Sequence, residues 1–446
     1  MADGEKNGGW SVRRATRFYI PLLVQAFSQS LTYPLVAAVV SHGPDGTDVL
    51  TAFAQGQLVM FMIGSLSGGL VTTGMVFART RGGYANFKKL TFLMMAALLG
   101  LQTVAAMPPF CDVIFEGLLN LPPRLAAIAR DTLFWGLPLH AAFFLRNISL
   151  SILFNARESA AANNATFVRI AVTLAASFAF VECGLTGPRW GLFAMTFPVF
   201  IEFALSHLFS QRHVRRLPEE GEVASVRGQL KFAMPLSLGG FLLSLAPFMV
   251  AAFAGRSAGG VSMLAVHYTT IGVANAFGFA SLRMQTVAIQ FPPEYPGDRR
   301  VLRYAIAAGA ILGACLLVPA HPLVAGWYFR TIQNIPAEHV AKAQIVMLVY
   351  AFWPALQSVR GCMEGIAAVR RRPKAILAGQ VAYIAAMASV LGALLRCGAQ
   401  GWWMGACAIL SATAATVCAI RFALGRQTAA DGMPVMRSER PVRTSA

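Results

Sequence analysis

Charged residues are scarce in this sequence. Asp, Glu, Lys and Arg together make up 13% of its 446 residues, whereas a typical soluble domain carries about 25%. Hydrophobic residues make up 56% of the chain and the mean hydropathy is +0.58, so a soluble fold would expose large apolar patches. This composition excludes an ordinary soluble enzyme and indicates a membrane protein.

The motifs of metal binding and covalent catalysis are absent as well. The seven cysteines are scattered, mostly within apolar segments, and form no CxxC pair; no HExxH motif occurs. Neither a zinc site nor a disulfide framework is predicted. Because no pairing of a nucleophile with a base is visible either, we expect no enzymatic activity, no cofactor and no bound metal.

What the sequence does contain is a series of apolar segments of about 20 residues, the length that crosses a bilayer. Only structures that satisfy every backbone hydrogen bond internally survive in lipid, so these segments are predicted to be helices. There are twelve, at 18–41, 49–78, 90–108, 132–155, 165–186, 190–211, 232–255, 261–290, 304–320, 341–366, 375–396 and 402–425. The predicted fold class is an all-α polytopic membrane protein.

The basic residues are distributed unevenly between the two ends of these segments. With loops assigned alternately to two sides, 26 of the 37 Lys and Arg fall on the side of the N-terminus, 7 on the other side and 4 inside segments. Loops rich in Lys and Arg face the cytoplasm. Both termini are therefore predicted to be cytoplasmic, in a multi-pass protein of the inner or plasma membrane. The asymmetry also explains the net charge of +18, so no nucleic-acid partner is expected.

The two halves of the chain resemble each other at an offset of 214 residues. Phe18 and Pro21 then align with Phe232 and Pro235, and many further positions match without a gap. A repeat of six spans gives two lobes of the same orientation, related by an axis along the membrane normal. The predicted organisation is an N-tail (1–17), an N-terminal lobe (18–211), a cytoplasmic linker (212–231), a C-terminal lobe (232–426) and a disordered tail (427–446).

This organisation resembles the multidrug/oligosaccharidyl-lipid/polysaccharide (MOP) transporter superfamily, which includes the MATE exporters. Local motifs are similar to the progressive ankylosis (ANK) membrane proteins: Phe352 to Gly365 follows an FxPxxxxVRxxxxG pattern before a basic cluster, and Phe18-Tyr-Ile-Pro21-Leu22 is a second match. The resemblance implies alternating access of two lobes and export of organic or phosphate-bearing anions such as citrate, ATP or pyrophosphate. Pro21 and Pro235, early in the first helix of each lobe, are candidates for structural hinges, and a tolerated kink or a helix start is the alternative interpretation of both.

Arginines inside the apolar segments are the main candidates for a binding site. A charge near the bilayer centre costs at least about 2.5–3.5 kcal/mol and is a functional candidate by default. Arg146 and Arg360 align in the repeat and lie roughly 15 Å from the cytoplasmic end of their helices, at 1.5 Å per residue. Guanidinium groups match carboxylates and phosphates, so Arg146 and Arg360, with Arg283 as a third candidate, are predicted to bind an anionic substrate.

A structural interpretation of the same arginines stays open. Glu364, four residues after Arg360, and Glu202, in the middle of the sixth segment, could neutralise Arg360 and Arg146 as counter-ions. Arg169 is expected to lie near the membrane surface.

His140 and His267 are possible proton sites, because histidine titrates near neutral pH. The first and seventh segments contain no Asp or Glu. Many cation-coupled MATE exporters use a carboxylate in the first helix, so coupling by that route is not expected here.

We therefore expect a membrane transporter of an anionic solute. Its predicted partners are the lipid bilayer and a small anionic solute or an anionic lipid headgroup, and the chain is expected to be monomeric. The alternatives are a MATE-type drug or cation exporter, a flippase for a lipid-linked anionic headgroup, and a membrane scaffold or receptor that transports nothing. A cavity open to water favours a solute transporter, a gap open to lipid favours the flippase, and the lack of a cavity favours the scaffold.

Overall fold

A computed structural model describes residues 10–29, 32–43, 46–119, 121–257, 262–295, 297–332 and 337–430. Nearly all of these residues are helical, which confirms the predicted all-α class. Residues 1–9 and 431–446, which include parts of the predicted N-tail and disordered tail, lie outside the described residues.

Six helical segments, α1 to α6, form the N-terminal lobe. Several consist of two helices in succession. They are α1 (Val12–Gln29 and Thr32–Ser41), α2 (Gly46–Gly64 and Leu70–Phe77), α3 (Arg81–Ala105), α4 (Pro123–Trp135 and Leu137–Asn155), α5 (Ser159–Glu182) and α6 (Pro188–Val214).

The C-terminal lobe has the corresponding segments. They are α7 (Val226–Ser244 and Ala246–Gly255), α8 (Ser262–Leu282 and Met284–Gln290), α9 (Arg300–Leu316), α10 (Ala337–Tyr350 and Trp353–Val369), α11 (Pro373–Arg396) and α12 (Gly401–Ala430). The segment between α6 and α7 is 215–225, shorter at both ends than the predicted linker.

The described residues contain nine helices long and apolar enough to cross a membrane, namely α2 to α7 and α10 to α12. The other three predicted spans, α1, α8 and α9, are helical where they are described. Helix α1 is described on either side of residues 30 and 31, which lie outside the described residues; α8 breaks at Arg283, and α9 has 17 residues.

The sequence repeat is visible in the helix boundaries. Helices α5 and α11 each contain 24 residues, and both their ends are 214 positions apart. Asn155 and Val369, the last residues of α4 and α10, show the same offset. Pro21 and Pro235 both lie inside their helices, in α1 and α7. Their role as hinges stays a prediction.

Buried apolar side chains form three clusters. One contains residues between 36 and 199 and belongs to the N-terminal lobe; another contains residues between 246 and 412 and belongs to the C-terminal lobe. The third, here named the shared cluster, includes Phe18, Leu153, Phe232 and Met284 and so draws on both lobes. It lies toward the end of the bundle that carries the 215–225 segment, here named the linker side.

Candidate functional site

A cavity of about 740 Å³ lies between the two lobes. It begins where the shared cluster ends: along α1, Phe18 and Leu22 belong to the cluster, and Ala26 and Thr32, further along, line the cavity. Its lining residues come from both lobes. They are Ala26, Thr32, Phe61, Ser67, Phe143, Arg146, Asn147, Arg169, Met195, Val199, Gly272, Asn275, Phe279, Leu282, Arg283, Gln285 and Thr286.

The N-terminal wall of the cavity holds a buried ion cluster around Glu202 of α6, whose side chain is fully buried. Arg146 Nη1 lies 2.9 Å and Arg169 Nε 3.2 Å from Glu202 Oε2. Thr166 Oγ1 donates a hydrogen bond of 2.5 Å to the other carboxylate oxygen and accepts one of 2.9 Å from the Gln25 side chain. Helices α1, α4, α5 and α6 thus meet at one carboxylate, which carries one negative charge against two positive charges.

Arg146 is held in place from two directions. Its guanidinium lies over the ring of Phe143, 4.7 Å from the ring centroid, and pairs with Glu202. Residues three apart on a helix share a face, so α4 presents both Phe143 and Arg146 to the cavity. The site therefore has an apolar ring and a cation side by side.

The opposite wall contributes a third arginine. Arg283 lies at the break of α8, between the helices that end at Leu282 and begin at Met284. It lines the same cavity and is close enough to Arg146 and Glu202 to interact with both charges. Among the described residues, none that lines the cavity is acidic, and these three arginines together with the buried Glu202 carry an excess of positive charge.

Arg360 is placed differently from Arg146, although the two align in the repeat and each lies nine residues before the end of its helix. Arg360 is 3% exposed and its Nε lies 2.8 Å from Glu364 Oε1. Its guanidinium also lies over the ring of Tyr383, 5.3 Å from the centroid. It is not among the residues that line the cavity, so its geometry agrees with the structural-pair interpretation.

Differences between the two repeats account for the different surroundings of Arg146 and Arg360. At the offset of 214 residues, Arg169 corresponds to Tyr383 and Glu202 to Thr416. The C-terminal lobe thus has an aromatic ring and a hydroxyl where the N-terminal lobe has a cation and a carboxylate, and Arg360 takes its counter-ion from its own helix. One lobe carries the charged cluster and the other a compensated pair.

The two candidate histidines do not line the cavity. His140 is 3% exposed, and its Nδ1 lies 2.5 Å from Gln102 Oε1. His267 is 4% exposed and packs closely against Gly405. Their role as proton sites stays a prediction. Among the described residues, no group of three His, Cys, Asp or Glu could hold a metal ion.

The expectation for Arg169 was wrong. Arg169 is 5% exposed and belongs to the cavity wall. Helix α5 begins at Ser159, not at 165, which puts Arg169 ten residues, or roughly 15 Å, inside the helix. Residues 159–164 lie before the predicted segment, and a helix start directly after Arg157 and Glu158 would have placed Arg169 well inside the helix.

Comparison with known proteins gives a consistent answer for the fold. No protein-family model and no curated protein matches the sequence. Among solved structures, the Vibrio cholerae MATE transporter VcmN in its bent form superposes with a TM-score of 0.70 and 16% identity, covering 94% of this chain and 98% of that one. The chain has the MATE fold.

Two further structures of this fold bear on the site. An outward-facing MATE multidrug resistance transporter of the MOP superfamily matches with a TM-score of 0.68 and 16% identity, over 95% of this chain and 97% of that one. A MOP superfamily transporter from Pyrococcus furiosus matches with a TM-score of 0.66 and 15% identity, over 94% of this chain and 96% of that one. The latter is described as having a binding pocket of reversed polarity that suggests a different function. The MATE fold therefore accommodates binding pockets of more than one polarity.

Proposed function

We propose that this protein is a membrane transporter that exports an organic or phosphate-bearing anion by alternating access of its two lobes. The observation that carries the proposal is the interlobe cavity, whose described lining includes three arginines and no acidic residue. A site between two parallel six-helix lobes is where transporters built from such repeats bind their substrates.

The geometry gives each arginine a role. Arg146 and Arg169 approach from the N-terminal lobe and Arg283 from the C-terminal lobe. A guanidinium donates paired hydrogen bonds that match a carboxylate or phosphate. An anion between these walls contacts both lobes at once, and such contacts favour the lobe arrangement that brings the arginines together.

Glu202 serves as the internal counter-ion of the empty site. It partly compensates Arg146 and Arg169 when no anion is bound, since uncompensated buried charges are strongly unfavourable. An arriving anion competes with Glu202 for Arg146 and restores a balanced set of charges together with Arg283. The cavity therefore stays stable both empty and loaded, which a transporter requires.

The remaining lining suits a solute with an apolar part. Phe61, Phe143 and Phe279 provide rings, and Asn147 and Asn275 provide amide groups. A volume of about 740 Å³ is in the usual range for small-molecule sites. These features support an amphipathic organic anion as the substrate class, in line with the resemblance of local motifs to the ANK proteins.

The second candidate function is drug or cation export of the MATE type. The fold of the structural neighbours favours it, but the positive excess of the cavity repels a cationic drug. The neighbour from Pyrococcus furiosus, whose pocket of reversed polarity is described as suggesting a different function, supports the idea that pocket polarity and function change together within this fold.

Transport by purified protein in liposomes tests the proposal. The panel contains di- and tricarboxylates, a nucleoside triphosphate, pyrophosphate and a cationic dye. Wild-type protein is compared with Arg146→Gln and Arg283→Gln, and Arg130→Gln, which alters a more exposed arginine of α4 paired with Asp131, is the control. We expect uptake of at least one anion, its loss in both cavity variants and no change in the control. Transport of the dye alone would contradict the proposal.

A liposome assay of lipid translocation separates the flippase alternative. Wild-type protein is reconstituted with a fluorescent anionic lipid. The fraction of the fluorescence that a membrane-impermeant quencher removes is followed over time. Movement of lipid without movement of any water-soluble anion would assign the cavity to a lipid headgroup instead of a free solute.

A further inference from the structure

Two sets of three side chains on the linker side repeat each other across the two lobes. In the first set, the Arg157 guanidinium lies over the Phe291 ring, 4.7 Å from its centroid, and Phe18 meets the same ring edge-on at 5.9 Å. In the second, Arg371 lies 5.2 Å from the Phe77 centroid, and Phe232 meets that ring edge-on at 5.2 Å. We name these sets the first triad and the second triad.

Each triad joins the two lobes. In the first, Arg157 and Phe18 belong to the N-terminal lobe and Phe291, which follows α8, to the C-terminal lobe. In the second, Arg371 and Phe232 belong to the C-terminal lobe and Phe77 to the N-terminal lobe. All three members are related by the offset of 214 residues, so the same device occurs twice. In each case a phenylalanine at the end of one lobe's helix is held between an arginine and a phenylalanine of the other lobe.

The backbone at both arginines is unusual. Arg157 and Arg371 have φ angles of 60° and 56°, and they are the only residues other than glycine with positive φ in the described part of the chain. Both follow a helix end that closes with the same hydrogen bond, Glu158 N to Leu153 O and Arg372 N to Ala367 O, each 2.8 Å. Glycine is the usual residue at this position.

At two other helix ends of this chain the residue with positive φ is glycine. The corresponding positions after α5 and α11 are Gly184 and Gly398, with φ angles of 69° and 70°. At the ends of α4 and α10 the chain instead carries arginine twice, at the cost of a strained backbone. The contact that each arginine side chain makes with the opposite lobe explains why it occupies a site that favours glycine.

The triads lie between the cavity and the linker side. Phe18, Phe232 and Phe291 belong to the shared cluster, and Phe77 packs against it. Arg146 of the cavity lies on α4 and precedes Arg157, two residues beyond the end of α4, by eleven residues, roughly 16 Å at the rise of a helix. Both triads therefore close the linker-side end of the path between the lobes.

We propose that the two triads are a matched pair of latches that hold the linker side shut, and that both break when the cavity opens to that side. The proposal rests on the alternating access of the proposed function. A contact that exists in one lobe arrangement and not in the other shifts the equilibrium toward the first. Arg157 and Arg371 are exposed, and a cation–π contact at an exposed site is weak enough to form and break reversibly, which suits a contact that opens in each transport cycle.

The 215–225 segment reinforces one latch. Glu222 forms a salt bridge with Arg371, with Oε2 2.6 Å from Nη2. Because Arg371 stacks on the N-terminal lobe and pairs with the segment that joins the lobes, the second latch also fixes this segment. Loss of the Glu222 carboxylate therefore weakens the second latch and leaves the first unchanged.

A distance measurement across the linker side tests the latches without any transported solute. Lys89 and Arg303 are exposed, align at the offset of 214 and lie in α3 and α9, one in each lobe. Spin labels at Lys89→Cys and Arg303→Cys, after replacement of the seven native cysteines, report the separation of the lobes in purified protein by pulsed electron resonance. Thermal unfolding of each variant is measured in parallel to confirm that it is folded.

We expect Phe77→Leu and Phe291→Leu each to raise the ratio of the long-distance to the short-distance population about fivefold, and together to act more strongly. Arg157→Gln and Arg371→Gln should act in the same direction, and Phe291→Tyr, which keeps a ring, should not. Tyr84→Leu is the matched control, because it removes a cation–π contact to Lys88 within α3.

Folded leucine and glutamine variants with an unchanged distance distribution would overturn the proposal, as would equal opening by Phe291→Leu and Phe291→Tyr. Because the distances are measured without substrate, a failure of the anion proposal leaves this result intact. Conversely, if the protein transports an anion but the triad variants leave the distance distribution unchanged, the latch proposal alone would be refuted.

Discussion

Arg146 and Glu202 form a 2.9 Å ion pair in the wall of the interlobe cavity, and this pair distinguishes the N-terminal lobe from the C-terminal lobe. Its carboxylate is fully buried, but the arginine is 13% exposed at its side chain and lines the cavity. A cation that is anchored on its buried side and open to the cavity on the other has the geometry that the proposed binding of an anion requires.

Removal of the Glu202 charge should destabilise the protein. Glu202→Gln leaves Arg146 and Arg169 facing each other in the cavity wall without their counter-ion. Breaking a buried pair by removing one partner typically costs about 3–5 kcal/mol, so the free energy of unfolding in detergent should fall by about that amount. Glu338→Gln, at an exposed position, is the control and should change little. Equal stability of the two variants would show that Glu202 compensates nothing.

The pair of Arg360 and Glu364 should behave as a structural unit. Because their side chains are buried and 2.8 Å apart, Arg360→Gln and Glu364→Gln should each lower the folded yield, and the double variant should recover most of it. Transport by the double variant decides between the two interpretations of Arg360. If the double variant transports at the wild-type rate, Arg360 serves only as the counter-ion of Glu364. If the double variant folds with normal yield but has lost anion transport, Arg360 is a substrate ligand.

Stability should also depend on pH at a site outside the membrane-spanning helices. Hydrogen bonds from the Arg300 side chain hold the pKa of Asp298 at about 2, below its usual 3.8. A depressed pKa in the folded state stabilises the protein above the unfolded value and loses this effect as pH falls through the folded value. Unfolding experiments between pH 4 and pH 2 should show a loss that Asp298→Asn removes. An identical pH profile in both proteins would contradict this assignment.

The predicted topology follows from the distribution of Lys and Arg and can be measured with reporter fusions. Fusions after Glu222 and Arg370 should report the cytoplasm, and fusions after Gly187 and Gly398 the opposite side. A reversal at two or more of these four sites would contradict the assignment of both termini to the cytoplasm.

The sequence by itself determined the helical class, the membrane environment and the repeat. These features depend on hydropathy over about 20 residues and on the matching of two halves, and both are local or linear properties. Arg146 and Arg283 were identified in the same way, since any charge within an apolar segment is conspicuous.

Only the tertiary structure decided which charges meet. Arg169 and Glu202 lie on different helices, 33 positions apart in the sequence, and their pairing depends on how α5 and α6 pack. The exclusion of Arg360 from the cavity wall and the stacking of Arg157 and Arg371 on the opposite lobe follow from packing in the same way. The energy of a charge or a ring depends on its neighbours in space, so the cavity and its latches became visible only once the two lobes were placed against each other.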